Sequence, residues 1–218
     1  MVVVGSGIAA QTLSPHAKGI QLFENAAATA AGLFVIILMF AAVSGAHFNP
    51  IVSFVDAAFN GISWSKASCY CCAQIVGCIS GAVVANLMFS HAAISISTHV
   101  RATPAHALSE VVATAGLIVL IFSLHRTGRG AATPAAVGAY IGAAYFFTSS
   151  TSFANPAIAI GRMFSNSFAG IAPSSVPTFV GAEIVGGALA FLLVKALYPE
   201  TKSVVEGPES SVVESDQI

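Results

Sequence analysis

Charge is what this sequence has least of. Only 8% of its 218 residues are Asp, Glu, Lys or Arg, while 56% are hydrophobic. A water-soluble domain carries about 25% charged residues. The chain therefore has too few charges to cover a water-facing surface, and a lipid bilayer is its natural solvent. A net charge of -1 leaves no basic excess to draw a nucleic acid. No basic residue precedes Lys18, which excludes the basic leader of a secretory signal peptide. Cysteine is confined to Cys69, Cys71, Cys72 and Cys78, all in one apolar stretch with no His beside them. Free thiols in such a helix act as small apolar groups, and neither a metal site nor a disulfide framework suits them. No cofactor is expected. A Ser-His-acid set, a Cys-His pair and a phosphate-binding glycine loop are missing too, so the chain is not expected to be an enzyme.

What is present is a series of long apolar runs. A helical span needs about 20 mostly apolar residues. Asn25 to Val43, Ala67 to Phe89, Ala105 to Leu124, Thr133 to Ser149 and Val176 to Leu197 meet or approach that length, giving five expected spans. Val2 to Ala10 is too short to cross and reads as the back half of a sixth, with a polar linker from Gln11. His47 to Phe59 and Phe153 to Phe164 are also short. They can enter and return only if protein or a water-filled cavity covers their backbone. From Pro199 to Ile218 the chain is acidic and should be a solvated, mobile cytoplasmic tail.

The chain also repeats. Asn49-Pro50 recurs as Asn155-Pro156, and Ala73-Gln74-Ile75-Val76-Gly77 recurs as Ala182-Glu183-Ile184-Val185-Gly186. Each unit would hold three spans, an odd number that inverts the second copy, and inverted repeats with broken helices place a solute path at the bilayer midplane. The expected organisation is one channel domain over 1–198, with repeats at about 1–89 and 105–198, followed by the 199–218 tail.

Asn-Pro at the start of a short apolar helix has a physical logic. Asn caps the helix and Pro suits its first position. The capping oxygen satisfies a backbone N–H and leaves the side-chain NH2 free to donate to a passing oxygen. Two such ends meeting at the midplane bring together two partial positive charges, which repel cations and reorient crossing water so that a proton wire is broken.

Ser44-Gly45-Ala46-His47-Phe48-Asn49-Pro50 and Phe153-Ala154-Asn155-Pro156-Ala157 resemble the paired motifs of the aquaporin, or major intrinsic protein, family. The resemblance covers about Val4 to Tyr198. It implies an all-α membrane protein with six helices, the first truncated here, two re-entrant half-helices, one pore per protomer and a homotetramer. It implies a cell (plasma or inner) membrane location with both termini cytoplasmic. That orientation puts Lys66, Arg126, Arg129, Lys195 and Lys202 inside, against Lys18, Arg101 and Arg162 outside. Glu110 matches the family's buried glutamate that braces the second loop. His47 lines the pore mouth or holds its loop by a hydrogen bond.

Three departures stand out. Ile51 replaces the usual Ala and, beside the pore, would narrow or reshape the midplane. The front of the first helix, with its glutamate, is not in the sequence. Counting from the two Asn puts the family's filter at Thr29, Ala143, Ser152 and Ile158, with neither an aromatic group nor an Arg. Arg162, one turn beyond Ile158, would lean back toward the filter or make an outer-vestibule or interhelix contact. The Arg-free pattern is similar to bacterial aquaporins associated with arsenic resistance. It implies passage of glycerol-like polyols, neutral arsenite and water. The rival readings are an orthodox water channel, a non-conducting truncated homologue and an ion-coupled secondary transporter, for which only Glu110 and Glu183 lie in the spans as candidates.

Overall fold

The computed structural model describes residues 1–199, so all of the tail beyond Pro199 lies outside the described residues. Among the described residues the secondary structure is entirely helical. In chain order the helices are α1 (Val2–Leu13), α2 (Lys18–Ser44), α3 (Pro50–Ala58), α4 (Trp64–Met88), α5 (Pro104–Arg126), α6 (Thr133–Phe147), α7 (Pro156–Arg162) and α8 (Val176–Leu197). Short 3-10 turns lead into α6 and α8. The order of span, half-helix and span is thus present twice.

Helix ends fall where local chemistry puts them. Ser63, Thr103, Asn49 and Asn155 each accept a backbone N–H with the side-chain oxygen at a helix start. Pro follows immediately in three of the four, where its missing N–H costs nothing. Gly45 closes α2 with a left-handed φ of 74°, a conformation that favours glycine.

Two expected boundaries are corrected. The linker expected from Gln11 is only the turn 14–17, because α1 runs to Leu13 and α2 starts at Lys18. Polar side chains make that early start possible. Gln21 donates to Ser14 O at 2.8 Å, and Ser14 Oγ donates to Glu24 at 2.9 Å. Lower down, Asn25 donates to Val3 O and Ser6 Oγ, pinning α1 to α2. The second correction concerns the five full spans. Four helices, α2, α4, α5 and α8, are long and apolar enough to cross a membrane. The fifth, α6, has 15 residues and a rise of about 22 Å.

Small residues let the helices approach. A Cβ on Gly138 would lie 2.7 Å from Ala30 O, and one on Gly186 would lie 2.6 Å from Val111 O. These contacts join α6 to α2 and α8 to α5. Gly81 sits against the Met1 nitrogen, whereas Gly77, four residues before it, faces open space. The two half-helices use the same device in mirrored form. A Cβ on Gly161 of α7 would meet Cys78 Cβ of α4 at 2.7 Å. A Cβ on Gly187 of α8 would meet Ile51 Cγ2 of α3 at 2.5 Å. Ile51, expected to narrow or reshape the midplane, packs instead against α8. It is buried at the α3–α8 contact, in a cluster with Val55, Ile118, Phe122, Ala190 and Val194.

Ile51 and Gly187 should thus be energetically coupled. Gly187→Ala overpacks the contact and should cost about 1–3 kcal/mol. Ile51→Ala opens a cavity and should cost about 2–5 kcal/mol. The double variant should be more stable than the sum of the two losses predicts, measured as thermal unfolding midpoints of detergent-solubilised protein. Simple additivity would show that the two side chains do not share the contact.

Candidate functional site

The second loop and the first approach each other through their asparagines. Asn49 Nδ2 donates to Ala154 O at 2.7 Å, and Asn155 Nδ2 donates to Phe48 O at 2.7 Å. Each side-chain oxygen meanwhile caps its own half-helix, Asn49 accepting from Ile51 N at 2.9 Å and Asn155 from Ala157 N at 3.0 Å. The side-chain NH2 groups are thus not wholly free, as the sequence alone suggested. One hydrogen of each is spent on the opposite loop, and each amide has a second hydrogen to donate. Pro50 and Pro156 open the two half-helices, and Ala157 is fully buried beside Pro156.

The backbone is bent to present those carbonyls. Ala46 and Phe48 have φ of 49° and 47°, and Ser152 and Ala154 have φ of 48° and 46°. These are non-glycine residues in left-handed geometry, at matching positions of the repeat. Each costs about 1–2 kcal/mol of local strain. The strain is held by buried acceptors in the second loop. Phe153 N donates to Glu110 Oε1 at 2.9 Å, Ala154 N to Glu110 Oε2 at 2.7 Å, and Asn155 N to Glu183 Oε1 at 2.9 Å.

The first loop is held differently. Ser53 Oγ donates to Asn49 O at 3.2 Å and accepts from Gln74 Nε2 at 3.1 Å. His47 Nδ1 lies 3.1 Å from the same hydroxyl, and His47 Nε2 lies 3.6 Å from Asp56 Oδ2. Tyr70, whose hydroxyl donates to Ser44 O, packs edge-on against His47. Among the described residues no acceptor meets the amides of His47, Phe48 and Asn49. Asp56, Ser53 and Tyr70 were not singled out in the sequence, where nothing but helical spacing from His47 would have marked Asp56.

The filter positions divide. Thr29 and Ser152 are buried, and Ile158 is half-buried beside Phe153. Ser152 Oγ has no hydrogen-bond partner. Ala143 does not join them. It is exposed, on the face of α6 opposite buried Val137, Ile141 and Tyr145. Tyr145, two residues on, faces inward instead, its hydroxyl 3.2 Å from Thr29 Oγ1. An aromatic group therefore stands beside Thr29 where counting predicted none. Of the three readings of Arg162, the outer-vestibule one is corrected, because the residue is 3% exposed. Its Nε donates to Ala169 O, and its guanidinium lies 3.5 Å over the Phe153 ring. Arg101, unmarked in the sequence, grips the same segment through Gly170 O and Phe168 O, both at 2.9 Å.

Two half-helices capped by Asn-Pro and cross-linked loop to loop are what a family relationship can now be measured against. The profile described as Major intrinsic protein matches residues 1–161. This chain belongs to that family. A relative named Aquaglyceroporin AqpS, from Rhizobium meliloti (strain 1021), is 42% identical over 211 residues, covering 96% of this chain and 90% of the relative. Probable aquaporin TIP2-2 of Oryza sativa subsp. japonica is 30% identical over 183 residues, 77% of this chain and 68% of its own length. Lens fiber major intrinsic protein of Rattus norvegicus is 32% identical over 189 residues, 75% of this chain and 65% of its own length. Members of the family are channels, and this major intrinsic protein is a multi-pass membrane channel for water and small solutes.

Asn49→Ala removes a cap and leaves Ala154 O buried without its donor. Loss of the cap costs about 1 kcal/mol and the orphaned carbonyl about 1–3 kcal/mol more. The variant's unfolding midpoint should fall accordingly. Asn155→Ala should do the same through Phe48 O, and both should lose solute flux in vesicles. A variant as stable as the parent would mean the loops do not depend on this pair of bonds.

Proposed function

We propose that the channel passes small, uncharged, hydroxyl-bearing solutes: glycerol-like polyols and neutral metalloid hydroxides such as arsenite, with water as co-permeant. The observation that supports this reading is the makeup of the narrow region. Its proposed lining is Thr29, Tyr145, Ser152 and Ile158, which combines three hydroxyls with one branched alkyl group. A fixed Arg at position 158 would fill lumen volume and carry a charge, and Ile158 does neither. Ser152 Oγ, buried and without an internal partner, is free to exchange hydrogen bonds with a solute hydroxyl. The carbon side of a polyol suits Ile158. Cations are opposed by the two half-helix N-termini, each carrying about half a positive charge, and not by a filter arginine.

The resemblance to Aquaglyceroporin AqpS supports a polyol-passing channel. Its extension to arsenite rests on the Arg-free filter. A homotetramer in the plasma or inner membrane, with both termini cytoplasmic, fits the family and the distribution of Lys and Arg. Glu110 and Glu183 both hold loop amides, which favours a passive channel over an ion-coupled transporter.

Stopped-flow light scattering of reconstituted vesicles tests the reading, with separate water, glycerol and arsenite gradients. Neutral-solute flux should exceed that of empty vesicles, and its absence for every solute would remove the proposal. Ile158→Arg should slow glycerol about tenfold, equivalent to about 1.4 kcal/mol of barrier, while sparing water. Tyr145→Ala should widen the solute range, and Ala143→Leu, on the outer face of α6, should leave it unchanged. If Ala143→Leu altered selectivity and Tyr145→Ala did not, the filter would lie on the other face of α6.

A further inference from the structure

Glu110 and Glu183 are both 0% exposed. Three consecutive amides, those of Phe153, Ala154 and Asn155, donate to Glu110 Oε1, Glu110 Oε2 and Glu183 Oε1. The fourth oxygen, Glu183 Oε2, is buried with no donor, and the consecutive amides of Ala154 and Asn155 hold the Glu110 and Glu183 carboxyls as neighbours. Two ionised carboxylates side by side and out of water would combine like-charge repulsion with desolvation of both.

The neighbouring groups do not relieve this. On α6, Tyr140 donates to Ala113 O, and Tyr145 pairs with Thr29. On α7, Arg162 is committed to Ala169 O and the Phe153 ring. Between α4 and α5, Arg101 holds Gly170 O and Phe168 O. None of these places a donor on Glu183 Oε2.

The sequence offers a neutral precedent. Glu183 occupies the place in the second repeat that Gln74 fills in the first. A protonated carboxyl group has nearly the shape of that amide, with one acceptor and one donor face.

We propose that Glu183 keeps its proton on Oε2 and donates it to Glu110, so that the two carboxyl groups brace the second loop with one negative charge between them. Glu183 is then a positioning residue. Its carbonyl oxygen accepts from Asn155 N, and its proton ties it to the group that fixes Phe153 and Ala154. Asn155, whose side chain faces the other loop, is oriented from behind by a neutral acid.

Infrared spectroscopy of the full chain in lipid vesicles at neutral pH tests this directly, without any solute. The spectrum should contain a protonated-carboxyl carbonyl band that shifts in heavy water, and the band should be lost in Glu183→Gln. Absence of the band in the parent protein would overturn the proposal whether or not the variant folds. A band undiminished in Glu183→Gln would place the proton elsewhere and overturn it too. Flux reports the positioning role. Glu183→Gln, which copies Gln74, should retain the parent's solute profile, whereas Glu183→Ala should lose most of its flux. Equal flux from the two variants would overturn that role. A failed band leaves the solute reading untouched, and a channel without arsenite or glycerol flux leaves the band in place.

Discussion

The fold depends on two asparagines whose side chains each act on both loops at once. The oxygen of Asn49 caps α3 while its NH2 reaches Ala154 O, and Asn155 does the same for α7 and Phe48 O. Removing either group disturbs a helix start and a loop crossing together. This is why the half-helices are short. Seven and nine residues would not be stable helices in water. They persist because caps, prolines and the surrounding spans satisfy the backbone groups that irregular structure exposes at depth. The left-handed φ angles at Phe48 and Ala154 point in the same direction. Local strain is accepted so that two carbonyls face across to the opposite loop, and the reciprocal hydrogen bonds offset it.

Much of this is legible from the sequence, because its signals are local. The spans follow from apolar length, the half-helix starts from Asn-Pro, and the inversion from a repeat with an odd number of spans. Thr29 is counted across more regular structure. A continuous helix and one short turn connect it to Asn49, so its spacing is rigid. Ala143 is counted across less. Between it and Asn155 lies the loop 148–155, with left-handed residues at Thr151, Ser152 and Ala154. A loop can absorb two residues without altering either end. On a helix those two residues are a rotation of about 200°, which exchanges the exposed face for the buried one. Tyr145 thus stands beside Thr29, where counting had placed Ala143.

Ile51 was misread by a different route. A residue beside Asn49 looks pore-facing in one dimension, yet a helix points successive side chains about 100° apart. Ile51 points at Gly187, and no local pattern reveals which of α8's glycines will receive it. The repeat does reveal the logic in retrospect. Cys78 and Gly187 are equivalent residues on α4 and α8, and Val55 and Gly161 are equivalent on α3 and α7. The first half supplies the bulk in both contacts, on α3 and on α4, and the second half supplies both gaps, on α8 and on α7. Each contact is complementary, although the two halves are not interchangeable.

That asymmetry extends to electrostatics. The second loop rests on two carboxyl groups, and the first on a serine hydroxyl, a glutamine amide and a histidine paired with Asp56. Both loops place a helix N-terminus near the crossing point, so both bring partial positive charge there. In the second half a carboxylate faces the loop amides leading to α7 and opposes that charge. Among the described residues, the carboxylate near the first loop is Asp56, at the far end of α3 and beside His47. The balance of charge along the crossing is therefore not mirrored. The amides of Phe153 to Asn155 are all met by carboxyl oxygens, while those of His47 to Asn49 are not. Of the two halves, the second is the more firmly fixed, and it also carries Ser152 and Ile158. The carboxyl-held loop is thus the one whose geometry is fixed most closely by side chains outside it.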